Sequence, residues 1–153
     1  MRQDPSSHKV LFPEESLLRE IVRQPRLSIG IPRENAHAET RLGLTPEGVS
    51  IVVEEGHKVM VQRGAGLPMF YTDLQYSEAG AVIVETEAEV FGADIVLKIA
   101  PPTIEELSLM KNGKSIFSML QLSNLTAESL RMMMKKKLNA VAYELIKDEQ
   151  KAF

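Results

Sequence analysis

The sequence predicts an α/β fold: a mostly parallel sheet with helices on both faces, three layers in all. Three observations carry that prediction. From Leu27 onward, short apolar runs alternate with helix-start signals at a regular pace, the pattern of successive βα units. The start signals are of one chemical kind, with Thr45-Pro46-Glu47, Thr72 and Gln75, Thr86 and Glu89, and Thr103 and Glu106 each offering a hydroxyl to the exposed N–H groups of a helix end. Glycines at 56 and 80 fall where a left-handed residue would stop the preceding helix.

Taken in order, residues 1–26 form a polar arm in which Leu17, Leu18, Ile21 and Val22 recur at helical spacing, so a helix is expected over 14–24. Strands are expected at 27–31, 58–62, 81–84, 94–99, 115–120 and 139–143, each a short apolar run bounded by turn residues. Between them, Thr45 caps a helix over 46–55 with proline at its first position, where a missing N–H costs nothing. The three Thr-x-x-Gln/Glu pairs start helices over 73–80, 87–91 and 104–110, and Gly113 marks the turn into the fifth strand. A last helix over 127–137 carries Met132-Met133-Met134 toward the core and Lys135-Lys136-Lys137 at the end that favours positive charge. Right-handed crossovers place these helices on the two faces. Only ten residues follow the sixth strand, with no covering helix and no stop signal, the pattern of a truncated chain.

Composition narrows the function. The 153 residues carry 18 Lys+Arg against 21 Asp+Glu, a formal charge of −3, with 44% hydrophobic residues, which suits one globular domain with a core. The acidic balance argues against nucleic acid and anionic lipid as partners. Zero cysteines exclude a disulfide framework, a thiolate nucleophile and a Cys-based metal site; His8, His37 and His57 are too scattered to hold a metal. No apolar run approaches the roughly 18 residues that cross a bilayer, and the first residues lack a signal peptide's apolar stretch. The expectation is a cytoplasmic protein without direct membrane contact.

Open α/β sheets bind ligands beyond the carboxyl ends of their strands, so the polar residues there are the candidates. Arg41 lies in an unusually long loop after the first strand, and its planar fork matches the two oxygens of a carboxylate; pairing with Glu39 is the plain alternative. Lys98 interrupts the run Ile95-Val-Leu-Lys-Ile-Ala100, where a buried cation is costly unless it is paired or emerges at the cleft edge. Gln121, at the end of the fifth strand, is suited to hydrogen-bond a substrate or to cap the strand exit. Gly64-Ala65-Gly66 invites a phosphate-loop reading, but Met69 stands where a third glycine is required and Pro68 interrupts the helix start, so a tight structural turn is expected. His57 precedes a strand at its amino end, the wrong end for a site.

Several segments in order, Ile29-Gly-Ile-Pro-Arg-Glu34, Glu39-Thr-Arg-Leu-Gly-Leu-Thr-Pro46, Gly56-His-Lys-Val59, Gly64-Ala-Gly66, Ala79-Gly-Ala81, Asp94-Ile-Val-Leu-Lys98 and Ala140-Val-Ala-Tyr-Glu144, resemble the N-terminal domain of the alanine dehydrogenase and pyridine nucleotide transhydrogenase family. The resemblance spans roughly residues 27–146. It implies a Rossmann-like, flavodoxin-type substrate-side domain, with 147–153 starting a linker to an NAD-binding domain absent from this sequence. It implies NAD as cofactor, held mainly by that absent domain, a small carboxylate such as alanine or pyruvate as substrate, and a homo-oligomer. The fragment alone would be inactive. Arg41 matches the arginine that holds the substrate carboxylate in alanine dehydrogenases. Lys98 matches the first lysine of the family's Lys-Val-Lys-Glu-Pro strand, whereas Ala100 replaces the second, catalytic lysine and Gln121 replaces a histidine. Residues two apart in a strand point to one face and lie about 6–7 Å apart, so Lys98 is a candidate to bring its ammonium toward the vacated position. The transhydrogenase domain, which also lacks that lysine, and a non-catalytic binding or assembly module are the alternatives.

Overall fold

The computed structural model describes residues 26–34 and 39–147; the expected arm helix, His8, His37 and residues 148–153 of the expected linker lie outside the described residues. Strands β1 (Ser28–Ile31), β2 (Lys58–Gln62), β3 (Val82–Val84), β4 (Ile95–Leu97), β5 (Ser115–Ser118) and β6 (Asn139–Ala142) alternate with helices α1 (Pro46–Glu54), α2 (Asp73–Glu78), α3 (Glu87–Phe91), α4 (Ile104–Leu109) and α5 (Ala127–Lys135). The first four helices start at the predicted threonines, and the fifth starts at Thr126, which the sequence reading did not single out. Thr45 and Thr126 accept from the backbone N–H three residues on, and Thr72, Thr86 and Thr103 each complete a reciprocal capping box. Gly56 and Gly80 adopt φ of 91° and 93°, closing α1 and α2 in the left-handed region.

All strand pairs are parallel, and the order across the sheet is β3-β2-β1-β4-β5-β6. That is the doubly wound Rossmann order; the α/β class and its parallel sheet are as expected, while the flavodoxin-type qualifier, which would require order 2-1-3-4-5, does not apply. Side chains alternate between two cores. Ile31, Val59 and Val61 meet Val49 of α1 and Tyr76 of α2 on one face, while Val96 and Ile116 meet Phe91, Leu107 and Met133 of the other three helices on the opposite face. Of the methionine triplet, Met133 is buried, Met132 packs beside it and Met134 is exposed, because three consecutive positions on a helix cannot share one face. At Gly30 strand β1 lies close to α3: a Cβ there would lie 2.9 Å from Val90 Cγ1 and closer still to the Val90 carbonyl oxygen.

The observed β4 and β5 are shorter than the runs 94–99 and 115–120. At the carboxyl ends, side-chain carboxylates take the N–H groups of Ile99, Ala100, Leu120 and Gln121. No described helix is long and apolar enough to cross a membrane.

Candidate functional site

The sheet order reverses between β1 and β4, and at such a switch point the loops diverge and leave a crevice at the carboxyl ends. A crevice of about 200 Å³ opens there, lined by Glu39 and Arg41 from the β1 exit loop, Ile99, Ala100 and Pro101 after β4, and Met119 and Gln121 after β5. Its volume falls below the roughly 300–1,000 Å³ typical of drug-sized ligands, so it suits a small molecule. A larger hollow of about 340 Å³ adjoins it, sharing Pro101 and Gln121.

The loop carrying Arg41 is fixed on both sides. At its start, the Arg33 N–H donates to Gln62 Oε1 at 2.8 Å, with the Gln62 side chain buried at the end of β2. Toward its end, Leu42 and Leu44 pack on the core, and the Tyr76 hydroxyl donates to the Leu44 carbonyl at 2.8 Å. Burial pushes the Tyr76 phenol up to about 12, so this donor keeps its proton across the physiological range. Between these anchors Gly43 lies against the end of β4, where a Cβ would sit 2.9 Å from the Leu97 carbonyl oxygen.

Arg41 itself is mostly exposed and takes the Glu39 pairing foreseen as the plain alternative. Its Nε and Nη2 donate to the two Glu39 oxygens at 2.8 Å each, and Nη2 also lies 3.8 Å from Met119 Sδ on the crevice wall. The hydrogen bonds from Arg41 hold the Glu39 carboxyl down to about 2, and Glu39 in turn raises the guanidinium further, so both remain charged at any ordinary pH. Among the described residues no acceptor sits on Nη1. The second edge of the fork is therefore available to an anion.

Lys98 sits on the same rim but behind the wall. Its side chain is 2% exposed, with Nζ 2.9 Å from Glu34 Oε2 and 3.1 Å from Glu106 Oε1. Pairing, not emergence at the cleft edge, meets the cost of this buried cation. Beside it on β5, the Ser118 hydroxyl is buried without a hydrogen-bond partner among the described residues. Gln121 adopts φ 45°, a left-handed conformation uncommon outside glycine, held by Glu144, whose oxygens accept the Leu120 and Gln121 N–H at 3.3 and 2.9 Å. Its amide oxygen has only a 3.5 Å contact with Asn124 Nδ2, which leaves the side chain able to turn to a ligand. The Tyr143 hydroxyl donates to the Ile99 carbonyl at 3.1 Å, and burial raises its phenol.

Arg41 and Gln121 thus share the crevice, and Lys98 lies directly behind it. Sequence reasoning missed four residues that shape it: Glu34, Glu106, Tyr143 and Glu144. Glu106 had a signal, but one that reads as a helix cap; the other three stand in quoted family segments without a role of their own.

Gly64-Ala65-Gly66 forms the expected tight turn. Ala65 N donates to Gln62 O and Leu67 N to Gly64 O, and a short 3₁₀ turn (Leu67–Met69) follows in place of a helix start. A Cβ at Gly66 would meet Tyr76 and Tyr71 within 3 Å, so its close approach serves internal packing. This turn does not fit the pyrophosphate of a dinucleotide.

Comparison with known proteins agrees with this architecture. The family profile described as "Alanine dehydrogenase/PNT, N-terminal domain" matches residues 30–153. An alanine dehydrogenase of Staphylococcus saprophyticus is 41% identical over 118 residues, 77% of this chain and 32% of that protein. Alanine dehydrogenase 2 of Staphylococcus aureus is 39% identical over 120 residues, 78% of this chain and 32% of the relative. Among solved structures, an L-alanine dehydrogenase superposes with a TM-score of 0.78 at 31% identity, covering 82% of this chain and 35% of that one. A transhydrogenase from Sinorhizobium meliloti superposes with a TM-score of 0.74 at 27% identity, covering 80% and 35%. The chain spans about a third of the length of these relatives.

Proposed function

The chain belongs to the alanine dehydrogenase/PNT N-terminal domain family, and from that premise we propose that its crevice binds the carboxylate of a small 2-oxo or amino acid such as pyruvate or alanine. Residues 27–146 are the substrate-side domain of an alanine dehydrogenase-like oxidoreductase, and residues from 147 on lead toward its cofactor-binding part. One observation carries the proposal: a guanidinium, held on one edge by Glu39 and with no described acceptor on Nη1, lines a small crevice at the sheet's switch point.

Each residue then has a task. Arg41 holds the substrate carboxylate through a two-point contact that fixes its plane. Gln121 is within the same crevice to hydrogen-bond the neighbouring carbonyl or amine, and Ile99 and Ala100 form one of its walls. Lys98 serves the site from behind rather than by reaching the ligand. NAD, held mainly by residues outside this chain, supplies the hydride acceptor of such an oxidoreductase; the described residues contribute substrate orientation. By itself the chain would bind and not turn over, and in the whole protein it would assemble with further copies.

A second reading, the equivalent part of the NAD-binding subunit of a proton-translocating transhydrogenase, draws support from the crevice lining, in which Arg41 is the only cation among the described residues. Calorimetric titration of the full-length protein with pyruvate and with L-alanine separates the two. Small-acid binding that weakens by about 10- to 100-fold in Arg41→Ala, the worth of one bidentate charge-assisted contact at a partly exposed site, supports the dehydrogenase reading. Equal affinities in the two proteins, or no binding, would refute it. Binding without alanine-dependent NAD reduction would leave a non-catalytic module.

A further inference from the structure

We infer that Lys98 is a positioning residue, which sets the wall of the crevice by holding the Glu34 carboxylate on the backbone of Ile99 and Ala100. The inference deepens the small-acid reading above and rests on it for its effect on ligand binding, but not for its structural content.

Glu34 is the hub. Its Oε1 accepts the Ile99 N–H at 2.5 Å, its Oε2 accepts the Ala100 N–H at 3.2 Å, and the same Oε2 receives Lys98 Nζ at 2.9 Å. Ile99 and Ala100 are the residues by which β4 borders the crevice. Glu106, in the first turn of α4, takes the Thr103 N–H at 2.8 Å and the same ammonium at 3.1 Å. One buried cation therefore ties together three segments: the exit of β1, the exit of β4 and the start of α4. The geometry also explains why the cation is required. Glu34 and Glu106 converge on a single nitrogen, and without it two carboxylates would face each other at nearly complete burial. The Glu34 carboxylate would then turn outward, and the two amides would lose their acceptor.

A lysine in direct contact with substrate would have to leave both carboxylates to reach the crevice. The alternatives differ in one respect: a positioning lysine acts only through Glu34, so removing either residue has the same consequence, whereas a contacting lysine acts whether or not Glu34 is present.

The test uses the full-length protein as wild type, Lys98→Met, Glu34→Gln and the double variant, with two readouts. Residue-resolved amide hydrogen exchange reports the wall itself. Exchange at Ile99 and Ala100 is expected to rise at least about tenfold in each variant, the loss of roughly one charge-assisted hydrogen bond, while Val96 and Ile116 in the strand interiors keep their protection. Pyruvate calorimetry reports the consequence. Each single variant is expected to weaken binding about tenfold, and the double variant no more than the weaker single, since the pair acts as a unit. Unchanged exchange at both amides in the folded variants would overturn the inference. So would pyruvate binding that is lost in Lys98→Met and intact in Glu34→Gln, which would assign the lysine to direct contact. Should Lys98→Met fail to fold, Glu34→Gln decides alone, by its exchange at Ile99 and Ala100. If the wild type binds neither pyruvate nor alanine, the small-acid reading fails, and the exchange pattern still decides whether Lys98 and Glu34 hold the wall.

Discussion

Replacing Gly43 by alanine should lift the Arg41 loop from the end of β4. The added Cβ would stand 2.9 Å from the Leu97 carbonyl oxygen and 3.0 Å from Leu97 Cβ, and neither neighbour can yield cheaply, since one is backbone and the other is attached directly to it. Restoring an ordinary carbon–carbon separation of about 3.5–4.0 Å requires a displacement of roughly 0.5–1 Å. The loop cannot absorb that freely, because Leu42 and Leu44 are packed on the core and the Leu44 carbonyl is held by Tyr76. Overpacking of this kind costs about 1–3 kcal/mol, which for a domain of this size corresponds to a melting temperature lowered by roughly 2–12 °C. Arg41, two residues earlier, moves with the loop. Misplacement of a binding group by about 1 Å can reduce function 100-fold, so pyruvate affinity should fall about tenfold or more. Scanning calorimetry and pyruvate titration of the full-length variant measure the two effects. A lowered melting temperature with unchanged affinity would show that docking of Gly43 on β4 does not position Arg41; no change in either would refute the close approach itself.

Other perturbations probe the frame. Gly30→Ala places a methyl group against the Val90 carbonyl where β1 meets α3, and should destabilise the protein by about 3 kcal/mol or fail to fold, read from the urea midpoint. At the opposite end of the sheet, Asp94 accepts from the Ser28 N–H at 2.8 Å, the Ser28 hydroxyl at 2.6 Å and Lys114 Nζ at 2.6 Å. Lys114 and Ser28 hold its carboxyl well below the usual carboxylate range. A depressed folded-state value means that the stabilisation is complete above the unfolded carboxyl value of about 3.9 and is lost as pH falls toward the folded one. Asp94→Asn should therefore cost about 1–2 kcal/mol at pH 7, discounted for the partial exposure of the pair, and the gap to wild type in urea unfolding should narrow below about pH 4. A gap independent of pH would show that the charge of Asp94 contributes nothing.

The fold was legible because its signals are local. A threonine before a helix and a glutamate three residues later satisfy each other within one turn, so Thr86–Glu89 can be read without knowing what lies beside them. The same holds for Gly80, whose left-handed conformation ends α2. Strand order is not local, which is why the alternation of elements announced a parallel sheet but left its winding to be settled by the structure. Arg41 and Gln121 were legible as candidates for a topological reason: ligands meet such sheets at strand exits, and both residues stand at one.

Lys98 shows where local reading ends. The cost of burying an ammonium is evident from its apolar neighbours, but the side chains that offset it lie 64 residues earlier and 8 later, on elements whose own signals mean something else. Glu106 satisfies the capping rule in full with one oxygen while the other takes the ammonium, so the sequence pattern that identifies it also conceals its second task. The strand exits follow the same logic. Glu34 and Glu144 each offer two oxygens to consecutive backbone N–H groups that the sheet no longer pairs, and each exit becomes a wall of the crevice. The two walls differ in what secures the carboxylate. The Glu34 side chain is 6% exposed and takes the Lys98 ammonium beside its two backbone donors, whereas Glu144 is open to solvent. The lysine just past β4 therefore completes the wall built on the Glu34 anion, a role in the chain's own electrostatics before any role toward a substrate.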